Sequence, residues 1–109
     1  MNELESALLK ELTGGAESKL LLRTRTRIDA GRWWRRTPVW LAITGNELIL
    51  FAVARRRYTE RVALADCHMA HYAATTGELV IDSAENLRMK RVMLSPREAL
   101  NAIDFLTNK

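Results

Sequence analysis

The chain has 109 residues, enough for one domain whose folding buries about 65% of the surface exposed by the unfolded chain, so a single core needs no covalent staples. A hydrophobic content of 48% excludes a disordered chain, and the longest apolar run, Leu48 to Ala54, is far shorter than the roughly 20 residues of a membrane-spanning helix. Cys67 is the only cysteine, which excludes an intrachain disulfide, and the net charge of +4 is uneven: eleven basic residues and three acids between Lys19 and Arg61 give +8 there, against −4 elsewhere.

Met1-Asn2-Glu3-Leu4-Glu5 is acidic, whereas a secretory signal begins with a positive region followed by an apolar one. Together with the lone cysteine this predicts a cytoplasmic protein, peripheral attachment to a membrane being the further expectation. Residues 2 to 12 read as a short helix: Leu4, Leu8 and Leu12 recur at every fourth position beside Leu9. Glu3 and Glu5 suit the positive end of its dipole, and Gly14-Gly15 stop the pattern. The domain division is thus a helical extension, 1-15, and a main domain, 16-109.

From Lys19 to Asp29 the even positions Leu20, Leu22, Thr24, Thr26 and Ile28 can face inward, which turns Arg23, Arg25 and Arg27 outward together. Ala30 to Pro38 reads as a loop containing Arg32-Trp33-Trp34-Arg35-Arg36. Val39 to Thr44 and Glu47 to Val53 flank Gly45-Asn46 as a tight hairpin. Arg55-Arg56-Arg57 marks the next turn, Tyr58 to Ala65 a strand with Val62 and Leu64 on its apolar face, and His68 to Ala73 a short strand. Leu79 to Asp82 and Leu87 to Leu94 form a last hairpin joined by Ser83-Ala84-Glu85-Asn86. Ser95-Pro96-Arg97-Glu98 is a capping box with proline at the first helical position. Ala99, Ala102, Ile103 and Leu106 make the apolar stripe of the helix that follows, flanked by Leu100 and Phe105. The predicted class is α+β, mainly β: about seven antiparallel strands between a short N-terminal helix and a C-terminal helix.

This order resembles the pleckstrin-homology-like superfold, particularly its bacterial and GRAM-type members. Leu41 to Phe51 looks like the family's second hairpin pattern, a small-polar turn between two apolar strands, and Val62-Ala63-Leu64-Ala65-Asp66 looks like the strand that follows. The resemblance covers residues 18 to 107. It implies a roll or barrel plugged at one end by the helix from Ser95, and binding of proteins, peptides or lipid headgroups instead of catalysis. In that family, basic residues at the end of the first strand and along the second hold inositol phosphates. Arg25 and Arg27 match the first position, while Val39 to Thr44 carries no basic residue.

Arg32, Trp33, Trp34, Arg35 and Arg36 complete the candidate binding set with Arg25 and Arg27. Arginine forks suit phosphate and carboxylate, and tryptophan in a loop can enter a partner, stack on bases or lie at a membrane interface. The alternative is that the tryptophans fold onto the core or pack in an oligomer; Trp40, within a strand, reads as core or interface. Cys67-His68-x-x-His71 has metal-ligand residue types. On a strand, however, Cys67 and His71 would stand about 13 Å apart with His68 facing away, so no metal site is expected. No nucleophile elbow, phosphate loop or zinc-protease motif occurs, and Asp66, Glu78, Asp82 and Glu85 read as turn residues. The functional expectation is a non-catalytic, cofactor-free interaction module engaging a protein or an anionic surface. Self-association through apolar strands such as Leu48 to Val53 is one form of it. A nucleic-acid-binding protein using the Arg/Trp-rich loop is the alternative.

Overall fold

The computed structural model describes residues 1–28, 37–54 and 56–107. They form α1 (Glu3–Thr13), β1 (Leu20–Ile28), β2 (Thr37–Ile43), β3 (Glu47–Val53), β4 (Arg57–Ala63), a 3₁₀ turn (Leu64–Cys67), β5 (His71–Ala73), β6 (Glu78–Val80), β7 (Arg91–Met93) and α2 (Pro96–Thr107). The fold is α+β, mainly β. One antiparallel sheet has the order β1-β2-β3-β4 and a second the order β5-β6-β7. Among the described residues the two sheets do not close into a barrel. They meet where β1 lies against β7, and there the Met93 N–H donates to the Thr26 hydroxyl at 2.7 Å. No described helix is long and apolar enough to cross a membrane.

Leu48 to Val53 is a continuous apolar run because β3 has a layer on each face. Leu48, Leu50 and Ala52 enter the main core, which gathers Leu41, Ile43, Leu79 and Val92 from the two sheets, Ile81 just past β6, and Ala99, Ala102 and Leu106 from α2. Ile49 and Phe51 point the other way, where α1 lays Leu8 on them with Leu9 and Leu12 alongside. Trp40 stacks on Phe51, its register partner, with ring centroids 6.5 Å apart. Its indole N–H donates to Glu5 Oε2 at 2.6 Å. Glu5 also closes a capping box with Asn2, accepting the Asn2 N–H at 3.0 Å while Asn2 Oδ1 accepts the Glu5 N–H at 2.8 Å. Gly14, at φ 64°, ends α1 in the left-handed region that glycine adopts without strain. From Leu48 to Phe51 the run that the sequence offered for self-association therefore has both faces and both edges occupied within one chain.

Several boundaries differ from the sequence reading. Thr37 and Pro38 belong to β2 and not to a loop. The β2–β3 pairing reaches only to Trp40, so β2 is still unpaired on that side at Pro38, where a residue without an N–H is tolerated. The strand from Tyr58 stops at Ala63, the backbone turns through Leu64–Cys67, and β5 begins at His71 instead of His68. The last hairpin is in register at Leu79↔Val92, but its strands are only three residues each. Its connection is longer than Ser83 to Asn86 and folds Ala84 and Leu87 inward into the core. The Gly45-Asn46 connection is a two-residue turn, as expected, yet neither residue takes a positive φ. The Thr44 hydroxyl holds it instead, donating to Asn46 Oδ1 at 3.1 Å and accepting the Glu47 N–H at 3.2 Å. The capping box of α2 is present: Ser95 Oγ accepts the Glu98 N–H at 3.3 Å, and Glu98 Oε1 accepts the Ser95 N–H at 3.2 Å.

Candidate anion-binding surface

The outward arginines owe their arrangement to an irregularity in β1. Arg23 pairs with Trp40 and Arg27 with Pro38, so four steps along β1 match two along β2. An excess of two residues preserves the alternation on either side of it. Leu22, Thr24, Thr26 and Ile28 thus turn inward while Arg23, Arg25 and Arg27 are all exposed. The threonines anchor the bulge: the buried Thr24 donates its hydroxyl to the Val39 carbonyl at 2.6 Å, and Thr26 accepts from Met93 of the second sheet. Arg23, Arg25 and Arg27 line a concavity of about 360 Å³ with Thr24 and Pro38. Among the described residues no carboxylate pairs with these three guanidinium groups. The three side chains are exposed, and guanidinium forks suit phosphate or carboxylate oxygens. Arg25 and Arg27 of the predicted set are brought together here. Arg32, Trp33, Trp34, Arg35 and Arg36 lie outside the described residues.

A second polar concavity, of about 450 Å³, is lined by Arg57 to Arg61 of β4 and by Asn86 and Arg88. Glu60 organises it. Its Oε1 accepts the Arg88 N–H at 2.6 Å, its Oε2 accepts the Met89 N–H at 2.9 Å, and Oε2 also accepts the Tyr58 hydroxyl. Burial alone would raise the Glu60 pKa, but the hydrogen bonds from Tyr58, Arg88 and Met89 outweigh it and hold the carboxyl below its ordinary range. Burial is also the largest influence on Tyr58, joined by its bond to the Glu60 carboxylate, and both push the phenol upward. The sequence reading missed Glu60. Its signal was a carboxylate on the inward phase of a strand, between Tyr58 and Val62.

Cys67 and the two histidines do not converge. Cys67 is buried on the 3₁₀ turn, its thiol pushed up to about 11 by burial and by Asp66. His68 Nδ1 lies 3.0 Å from the Ala65 carbonyl, and His71 is exposed on β5. Of the four acids read as turn residues, Glu78 instead begins β6 and pairs with Arg91 at 3.3 Å, and the Asp66 carbonyl accepts from Ser83 Oγ at 2.8 Å. No protein family, curated protein or solved structure matches the chain in comparisons of sequence and fold.

Proposed function

We propose that this chain is a non-catalytic, pleckstrin-homology-like interaction module that engages an anionic surface through the β1 end of its four-stranded sheet. The bulged concavity carries the reading: Arg23, Arg25 and Arg27 surround it, and no described carboxylate neutralises them. The strand order supports the family reading, since four antiparallel strands, three more and a terminal helix are what that superfold would require. The segment after Ile28 adds Arg32, Trp33, Trp34, Arg35 and Arg36 to the same region of the sequence. Cationic side chains near an anionic surface contribute about 1 kcal/mol each, and this attraction falls as salt rises.

Co-sedimentation with vesicles tests it. Vesicles containing phosphatidylserine or a phosphoinositide should retain the protein at low salt and release it at high salt, and vesicles of phosphatidylcholine alone should not retain it. The Arg25→Glu/Arg27→Glu variant should lose at least tenfold in apparent affinity, because both substituted side chains are exposed and the fold does not need them. Equal retention on neutral vesicles, or retention indifferent to salt and to both arginines, would refute the reading. Salt-dependent retardation of an oligonucleotide by a protein that ignores anionic vesicles would move the function to nucleic-acid binding.

A further inference from the structure

At the other end of the sheet, β4 presents a row of backbone hydrogen-bonding groups that no described strand fills. At one end of the β3–β4 ladder the Leu64 N–H donates to the Asn46 carbonyl at 3.0 Å; at the other the Ala54 N–H donates to the Arg56 carbonyl at 3.1 Å. With Leu48↔Val62, Leu50↔Glu60 and Ala52↔Tyr58 as register partners, the alternation of antiparallel pairs gives the bonds to β3 to Tyr58, Glu60 and Val62. Arg57, Thr59 and Arg61 therefore aim their N–H and C=O groups away from β3. Among the described residues β4 has no other strand neighbour. The same three residues are exposed, and the 450 Å³ concavity runs along this edge. Its far wall is held in place by the bonds from Arg88 N–H and Met89 N–H to Glu60. The space runs beside five consecutive residues of β4, Arg57 to Arg61.

Charge selects the occupant. Arg57, Arg61 and Arg88 line the groove, and Glu60, the one carboxylate among its described lining residues, is committed to three donors. Arg57 and Arg61 pair with Glu11 and Glu47 at 3.0 and 2.5 Å, but such surface pairs contribute little and can exchange for incoming carboxylates. A second copy of the chain fits poorly: a twofold antiparallel pairing centred on Thr59 would set Arg57 against Arg61 twice. We propose that the β4 edge is a docking strand for an extended acidic segment of a protein partner. That segment adds to the sheet as a fifth strand and sets carboxylates at alternate positions against Arg57 and Arg61. The surface lies at the opposite edge of the sheet from the β1 arginines, and its test does not depend on them.

The probe is a fluorescein-labelled heptapeptide alternating aspartate and valine, titrated with the whole chain and followed by polarisation. Comparison peptides replace aspartate with lysine, or carry N-methyl groups at alternate residues in either phase. The acidic peptide should bind saturably and the lysine peptide at least tenfold more weakly. N-methylation in one phase should abolish binding while the other phase leaves it. Arg57→Glu/Arg61→Glu should cost at least tenfold, and Arg25→Glu/Arg27→Glu nothing. Thr59→Pro removes one outward donor, and edge positions of this kind admit proline, so it should stay folded and lose the peptide. Absence of binding, or binding indifferent to N-methylation in both phases, would overturn the proposal. If Thr59→Pro does not fold, the N-methylated peptides acting on the unaltered protein decide the matter alone.

Discussion

Glu60 shows how one side chain can join elements far apart in sequence. It lies on β4, yet it accepts backbone hydrogens from residues 28 and 29 positions later. Replacing it with alanine leaves the Arg88 and Met89 amides without their acceptor. The expected loss is about 1–3 kcal/mol, read as a lower urea midpoint. Because its folded pKa lies below the unfolded value of 4.5, the folded state holds its proton less tightly, and this contribution is complete above that value. It fades as pH falls through the folded pKa. The difference in urea midpoint between the unaltered protein and Glu60→Ala should therefore be flat from about pH 8 to pH 5 and shrink below that; a difference growing in acid would contradict the assignment. None of this was legible from spacing, because the partners are backbone groups on a loop that folds inward. The outward phase of Arg23, Arg25 and Arg27 was legible, because the bulge adds two residues and leaves parity unchanged.

At the scale of elements, the helix ends were the clearest features in the sequence. Ser95 and Glu98 form the expected box, and Gly14 stops α1 where the glycine pair suggested. What α1 covers was not readable from its own stripe, since Leu4, Leu8 and Leu12 share one spacing but not one fate. Leu8 is 3% exposed against Ile49 and Phe51, while Leu4 is 63% exposed. The signal lay elsewhere, in β3: an uninterrupted apolar strand implies a layer on each side. Leu8→Ala should destabilise the protein by about 2–4 kcal/mol, whereas Leu4→Ala should change stability by less than about 0.5 kcal/mol, both read from chemical unfolding. Equal effects would mean that α1 does not rest on the sheet through Leu8.

For the whole molecule, element order and strand count followed from hydrophobic period and turn residues, as seven strands and two helices among the described residues show. Whether the sheets close did not follow, because period 2 fixes which face a side chain takes and not which strand lies beside it. The 3₁₀ turn at Leu64–Cys67 was missed for a related reason: Leu64 continues an apolar pattern while the backbone changes direction beneath it. The ladder geometry of β3 and β4 also has a consequence for isotope exchange with solvent. Every amide of β3 from Leu48 to Ala52 sits inside the sheet with a layer above and below, so these should give up hydrogen for deuterium only when the molecule opens as a whole. Along β4 the pattern should alternate residue by residue, with slow exchange at Tyr58, Glu60 and Val62 and fast exchange at Arg57, Thr59 and Arg61. Such a comb in a series of two-dimensional NMR spectra would record which way each peptide unit of the outermost strand faces.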